Sequence, residues 1–169
     1  MGQDWTKDGV RMERTNWRDN EISERHRQWG FNCPGVDLDF VMLEYNHGVP
    51  VAVVEYKHKN AREPKMDHPT YNALRHLADN HAGGALPFLV VFYCPEEWWF
   101  RVIPGNERAR ELYAHALTDP VTGDALDCCI LSEQRFVRSL YYMRGVKLSE
   151  KDKAVILRLN DALPNQEAA

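Results

Sequence analysis

Four charged residues interrupt two apolar runs of the chain. Asp37 and Asp39 lie near the start of the first run, and Glu55 and Lys57 lie at the end of the second. Burying such groups is costly unless they pair with one another or bind a cation. Neighbouring carboxylates suit Mg²⁺, which takes oxygen ligands and binds through one or two carboxylates plus a phosphate. A lysine beside that site can orient water or neutralise a phosphodiester, so these residue types predict metal-assisted phosphodiester chemistry.

The two runs are predicted to form a β-hairpin, because turn residues separate them. The two strands and the loop between them are expected over residues 36–45, 49–57 and 46–48. With that loop, Glu55 lies opposite Asp39 and Lys57 lies opposite Asp37, and all four side chains share one face. Carboxylates about 5 Å apart repel, so one takes up a proton unless a cation joins them. A slip of one residue would separate the groups, so the predicted chemistry depends on this register.

Hydrophobic periodicity and capping residues predict the other elements. Helices are expected over about 20–29 and 70–81 and from Asn106, Ser132 and Ser149, and strands over about 86–93, 98–103 and 126–131. The alternation of helices and strands predicts an α/β fold with a mixed sheet flanked by helices, followed by extra C-terminal helices. A length of 169 residues predicts a single domain over 1–169, with a core over about 18–105 and a C-terminal helical part over about 106–163.

Composition argues against several classes of protein. The formal net charge is −4, so a nucleic-acid partner would have to bind a local basic patch. The four cysteines show no C-x-x-C spacing, which argues against a zinc site or a disulfide framework. No apolar run reaches the length that a membrane helix needs, and the N-terminus has no apolar signal segment. We therefore expect a cytoplasmic protein without a membrane partner.

Two segments resemble the motif of the PD-(D/E)xK nuclease superfamily, namely Pro34-Gly35-Val36-Asp37-Leu38-Asp39 and Val54-Glu55-Tyr56-Lys57. That superfamily includes restriction endonucleases, Holliday-junction resolvases and phage exonucleases. The motif covers residues 34–57, and a similar order of elements extends over about the first 105 residues, although the third core strand is found only at 86–93. The resemblance implies a restriction-endonuclease-like αβββαβ core, an Mg²⁺ or Mn²⁺ cofactor, and hydrolysis of phosphodiester bonds in nucleic acid, with DNA favoured.

The resemblance also assigns roles to individual residues. It implies acidic metal ligands, namely Asp39, Glu55, Asp37 and, from the first helix, Glu21 or Glu24. Lys57 would position or activate water. Pairing across the hairpin favours Asp39 as the family aspartate, whereas the Pro-Gly turn favours Asp37, and both assignments stay open. The superfamily commonly carries Gln or Lys in the helix after the motif, where this chain has Asn72 and Arg75, so the substrate subtype is not assigned.

The densest basic stretch lies over residues 57–65, at the end of the motif. Three residues of this stretch and two of the first helix are candidate phosphate ligands, namely Lys59, Arg62, Lys65, His26 and Arg27. Phosphate contacts of this kind weaken with salt. The alternative is an ordinary solvated loop. Five further arginines either extend the patch or are plain surface residues: Arg101, Arg108, Arg110, Arg135 and Arg138.

Two functions compete at this level. The compact chain carries no recognisable specificity domain, which favours a small nuclease or resolvase encoded by a phage or mobile element. Such a protein would act in a bacterial or phage-infected cell and is compatible with a homodimer. The alternative is a catalytically inactive nuclease-like module that binds nucleic acid or protein. A separate interpretation of the four motif residues is a solvent-exposed hairpin face with cross-strand ion pairs.

Overall fold

Five strands form one mixed sheet in which they lie side by side in chain order. The structure is a computed structural model that describes residues 38–44, 47–145 and 147–164. The strands are β1 (Phe40–Glu44), β2 (Val49–His58), β3 (Phe88–Tyr93), β4 (Trp99–Pro104) and β5 (Cys129–Ser132). The helices are α1 (Pro69–Asp79), α2 (Glu107–Leu112), α3 (Glu133–Met143) and α4 (Glu150–Ile156).

The described residues all belong to one compact unit, Asp37–Ala169. The predicted helix over 20–29 lies outside the described residues. Five candidate site residues also lie outside them: Glu21, Glu24, His26, Arg27 and Asp37. Their roles stay predictions, and so does the expectation of a single domain over 1–169.

The sheet combines a parallel pair of strands with antiparallel neighbours. β1 and β2 form an antiparallel hairpin, whereas β2 and β3 run parallel and are connected through α1. A parallel pair needs a crossover connection, which α1 provides. β4 and β5 then add antiparallel strands. The fold is therefore α/β, with a mixed sheet flanked by helices, as the order of elements predicts.

Element boundaries depart from the prediction mainly in the C-terminal part. The strand predicted over about 126–131 is found as β5, which pairs with β4 and extends the sheet. α2 ends at Leu112, where Tyr113 is the C-cap. α4 ends at Ile156 instead of continuing towards Pro164, and Asn160 beyond it forms hydrogen bonds with Glu97, Glu133 and Gln134. Three predicted N-caps are confirmed, with side chains that accept hydrogen bonds from the first helical turn: Asn106, Ser132 and Ser149.

Apolar side chains fill both faces of the sheet. α1 covers one face through Tyr71, Leu74 and Ala78, which belong to the same core cluster as Phe88 and Val90. α2 and α3 cover the other face, where the buried sheet residues are Ala52, Val54, Leu89, Val91, Phe100, Val102, Cys129 and Leu131. Each large apolar side chain buried in this way contributes about 1.5–3 kcal/mol relative to an exposed one. Alternation along β2 places Val53, Glu55 and Lys57 on the α1 face.

Asn106 joins α1, β3 and α2 at the amino end of β3. It is buried, and its Oδ1 accepts hydrogen bonds from the N–H groups of Phe88 and Ala109, both at 3.0 Å. Its Nδ2 donates to Asp79 Oδ1 at 2.7 Å and to the Leu86 carbonyl at 2.8 Å. Both donors and both acceptor positions of the amide are therefore used, so the side chain is fixed in one orientation.

Candidate functional site

The hairpin of β1 and β2 positions the first candidate residues. Its outer part follows the predicted register, with the pairs Phe40–Val54, Val41–Val53 and Met42–Ala52. A bulge then shifts the pairing near the turn to Leu43–Pro50 and Glu44–Val49. A bulge absorbs one extra residue on one strand, here Val51 of β2, so the irregularity stays away from the motif. Asp39, directly before β1, consequently lies next to β2 near Glu55.

A hydrogen bond to the backbone of β2 fixes Asp39. Its Oδ2 accepts the Tyr56 N–H at 3.1 Å. β1 begins only at Phe40, so the carboxylate satisfies an N–H group that lies beyond the paired part of the hairpin. Asp39 is exposed, and an ionised carboxylate has about four acceptor positions, so most of them stay available to a ligand.

Glu55 is the more buried of the two carboxylates, with 15% of its side chain exposed. Its Oε1 accepts a hydrogen bond from Lys57 Nζ at 3.1 Å. Burial raises the pKa of Glu55 above its ordinary value; the hydrogen bond from Lys57 opposes this rise, and the charge of Asp39 adds to it. The two carboxyl groups thus influence each other, which is the convergence that the hairpin register predicts.

Lys57 is a cation in this arrangement. Its side chain is 21% exposed, and its Nζ lies 5.7 Å from the centroid of the Tyr71 ring on α1. Burial lowers the pKa of Lys57, but hydrogen bonding to Tyr71 and Glu55 outweighs this effect, so the pKa lies above its ordinary value. A lysine that keeps its proton at neutral pH is poorly suited as a general base. It is well suited to neutralise the charge of a phosphate.

The donor set at this place consists of the Asp39 and Glu55 carboxylates. No group of three or more histidine, cysteine or acidic side chains that could hold a metal ion occurs within residues 38–44, 47–145 and 147–164. Two carboxylates fit Mg²⁺, which commonly binds through one or two of them, keeps several waters and takes substrate phosphate as a further ligand. Burial is the main cause of the raised pKa of Glu55, and a divalent cation would offset the additional repulsion from Asp39.

Strand register brings Arg101 to the same face as Lys57. Lys57 pairs with Phe92 across β2 and β3, and Phe92 pairs with Arg101 across β3 and β4. The Arg101 guanidinium carbon lies 4.3 Å from the centroid of the Phe92 ring. The guanidinium forms an ion pair with Glu63 of the loop after β2. Arg101 therefore adds a second cation close to the carboxylates.

Lys59 lies on this face at the carboxyl ends of β2 and β3. Its backbone N–H donates to the Tyr93 carbonyl at 2.8 Å, and its Nζ lies 3.0 Å from Glu96 Oε2. The buried Cys94 thiol donates to the same oxygen at 3.1 Å. The hydrogen bonds from Cys94 and Lys59 lower the pKa of Glu96 to about 2, so this carboxylate is charged at neutral pH.

The remaining basic candidates are less closely tied to the site. Arg62 and Lys65 are exposed in the loop between β2 and α1. Neither forms an ion pair with another residue of the described ranges. Of the predicted phosphate ligands that lie within the described residues, Lys59 is the one on the face of Glu55 and Lys57.

Sequence reasoning does not single out Tyr71, Glu63 or Arg101. Helical spacing marks Tyr71 only as an apolar residue of α1, and Arg101 is one of five unassigned arginines. The parallel pairing of β2 with β3 brings these residues to Lys57, and the register of strands joined by a long crossover cannot be read from local turn residues. Arg75 is structural, since it donates to the carbonyls of Met66 and Gly105.

A groove of about 1360 Å³ opens on the other side of the sheet. Its lining comes largely from α2, α3 and α4 and includes Leu112, Tyr141 and Ile156. Neither Glu55 nor Lys57 lines it, so this groove is separate from the candidate site. In the part of the chain that the structure describes, no helix combines the length and apolar character needed to cross a membrane.

Comparison of the chain with protein-family models, with curated proteins and with solved structures found no match. The functional interpretation therefore rests on the residues and geometry of the site.

Proposed function

We propose that this protein is a metal-dependent nuclease that hydrolyses phosphodiester bonds in nucleic acid, with DNA as the favoured substrate. The observation that carries the proposal is the placement of Asp39 next to Glu55, with Lys57 Nζ 3.1 Å from the Glu55 carboxylate. The succession β1, β2, α1, β3, with β2 parallel to β3, agrees with the later part of the αβββαβ core that the motif implies. The site also lies towards the carboxyl ends of the parallel strands, where open α/β sheets bind ligands.

The contacts of each residue suggest its role. Asp39 and Glu55 would hold Mg²⁺ or Mn²⁺, which when bound supplies Lewis acidity and lowers the pKa of coordinated water. The Lys57 ammonium would bind a phosphate oxygen and neutralise the charge that develops during hydrolysis. The Tyr56 N–H orients Asp39, and the Tyr71 ring holds Lys57 from the α1 side.

Cleavage assays test the proposal. Plasmid DNA, single-stranded DNA and RNA are incubated with the protein in Mg²⁺, Mn²⁺ or EDTA. We expect DNA cleavage with a divalent ion, none in EDTA, and none by Glu55→Gln. Arg108→Gln removes an exposed charge of α2 on the opposite face and should cut like wild type. Intact substrates under all conditions would contradict the nuclease, and an active Glu55→Gln protein would contradict the site.

A nuclease-like module without activity is the second candidate. The observation in its favour is that Glu55 already pairs with Lys57 at 3.1 Å, so the buried carboxylate has a cationic partner without a metal ion. Such a module would bind nucleic acid equally well with Mg²⁺ and with EDTA and would leave it intact. Measuring binding alongside cleavage therefore separates the two functions. The homodimer and the cytoplasmic location stay predictions.

A further inference from the structure

Three cations lie close together on the α1 face of the sheet: Lys57, Arg101 and Lys59. Lys57 and Arg101 flank one residue of β3, which places them two strand spacings, or about 10 Å, apart. Lys59 follows Lys57 by two residues, or about 7 Å along the strand direction, and lies on the same face. Of these three cations, Lys57 is the one that lies beside Asp39 and Glu55. Since the whole chain carries a net charge of −4, a generally basic composition does not account for them.

The two outer cations are paired with carboxylates from exposed loops. Arg101 pairs with Glu63 and Lys59 pairs with Glu96; the glutamate side chains are 65% and 62% exposed, against 24% and 29% for the cations. Ion pairs with such exposed partners contribute little to stability, so another anion can replace the glutamate. A phosphate offers the guanidinium the same type of oxygen acceptor as a carboxylate.

Arg101 would stay in place if Glu63 moved away. Its guanidinium packs against the ring of Phe92, which is almost fully buried in the core. A guanidinium held in this way keeps its planar set of donors directed at a ligand, which suits bidentate binding of phosphate. The cation is thus the fixed member of the ion pair, and the carboxylate is the exchangeable one.

We propose that Arg101 and Lys59 continue the Lys57 site as a track for the phosphate backbone of a nucleic acid, and that Glu63 occupies the Arg101 phosphate position until the nucleic acid displaces it. The inference rests on the proposed function, because it explains how a strand is held beside Asp39 and Glu55. The proposal predicts that substitutions of Arg101 and of Glu63, the two members of one ion pair, change the affinity for nucleic acid in opposite directions. Removing Arg101 weakens binding, whereas neutralising Glu63 strengthens it.

Affinity for a fluorescently labelled DNA duplex and for its single strand is measured in EDTA at several salt concentrations, so that cleavage does not interfere. For Arg101→Gln we expect binding about 5- to 10-fold weaker near 0.1 M salt, with a log–log salt slope reduced by about 0.7–0.9. For Glu63→Gln we expect binding about 2- to 5-fold tighter, because one repulsive charge leaves the track. Arg101→Lys should retain most of the salt slope, because it keeps the charge. Arg108→Gln and Glu111→Gln, the members of an exposed α2 ion pair, should change neither affinity nor slope.

Melting curves show whether Arg101→Gln is folded, and Glu63→Gln tests the track in any case because Glu63 is exposed. Opposite shifts of affinity for the two variants, with unchanged controls, support the track. Unshifted affinities, shifts in the same direction, or a wild-type protein that binds neither DNA form overturn it. If the two variants shift the affinity in opposite directions but DNA is not cleaved in Mg²⁺, the nuclease proposal alone fails. If the wild-type protein cleaves DNA but neither variant changes the affinity, the track proposal alone fails.

Discussion

The two ends of β3 carry polar groups of different kinds. At the amino end, the neutral Asn106 amide is buried and makes all its hydrogen bonds within the protein. At the carboxyl end, Lys57 and Arg101 are charged, partly exposed and paired with the carboxylates of Glu55 and Glu63. The amino end is complete without a ligand, whereas the carboxyl end holds charges that an external anion or cation can also pair. This difference assigns a structural role to the amino end and gives the carboxyl end the charges that the proposed function requires.

The electrostatics of Glu55 support the same distinction. Burial and the neighbouring Asp39 both disfavour its charged form, so the folded chain holds this carboxylate at a cost. Groups with perturbed pKa values cluster at functional sites, where a ligand or substrate makes use of them. Asn106 shows no comparable conflict, because both polar atoms of its side chain have partners.

The largest effect on activity is expected from removing the charge of Lys57. Lys57→Met keeps an unbranched apolar side chain but removes the ammonium group. If Lys57 neutralises charge in the transition state, the cleavage rate should fall about 10²- to 10³-fold, as on removal of one preorganised donor. Single-turnover assays in Mg²⁺ measure the rate, and a melting curve shows that the variant is folded. A rate within a few-fold of wild type would make Lys57 merely a structural partner of Glu55.

The largest loss of stability is expected at the amino end. Asn106→Ala removes an N-cap and leaves the buried Phe88 N–H without its partner. Loss of the cap and of the buried hydrogen bond should lower the free energy of unfolding by about 2–4 kcal/mol. Urea denaturation measures this loss. Asn60→Ala, at an exposed loop position, is the control and should change stability by less than about 0.5 kcal/mol. A loss below about 1 kcal/mol for Asn106→Ala would remove the contrast between the ends.

Local signals in the sequence are sufficient for much of this fold. The N-caps at Asn106, Ser132 and Ser149 depend on residues within one helical turn, so the sequence predicts them correctly. The hairpin register beside Asp39 agrees with the prediction, although the pairing next to the turn is shifted by one residue and returns to the predicted register only beyond the bulge at Val51. The bulge near Leu43 is not part of the prediction, although Pro50, directly before the extra residue Val51, is of a type that occurs at bulges.

Contacts between distant residues account for what the sequence does not predict. Asn106 is recognisable as a cap, but its bonds to Leu86 and Asp79 span 20 and 27 residues. Arg101 reaches the face of Lys57 only through the combined registers of three strands. Such contacts depend on how the elements pack, which periodicity along one element does not specify.

Neutralising Glu55 should have a smaller effect on stability than Asn106→Ala, and the opposite sign. Because its pKa is raised in the folded protein, protonation of Glu55 stabilises the fold; this contribution is present below the ordinary value of 4.5 and is lost as pH rises through the raised value. Glu55→Gln stays neutral, so its Tm should exceed that of wild type at pH 7 while the difference vanishes near pH 4. Melting curves in EDTA across this pH range test the expectation. A lower Tm for Glu55→Gln at pH 7 would mean that the pair with Lys57 outweighs burial and repulsion.

The smallest effect on stability is expected from the ion pair of Glu63 with Arg101. Glu63 is exposed on a loop, and ion pairs with exposed partners contribute about 0–1 kcal/mol. Glu63→Gln should therefore lower the free energy of unfolding by less than about 1 kcal/mol in urea denaturation, with Glu111→Gln on α2 as the matched exposed control. A partner held this weakly can be exchanged for a phosphate. The partners of Asn106 could not be exchanged in this way without unfolding the amino end of β3. A loss of about 2 kcal/mol or more for Glu63→Gln would instead make this pair part of the framework, because exposed ion pairs do not reach that value.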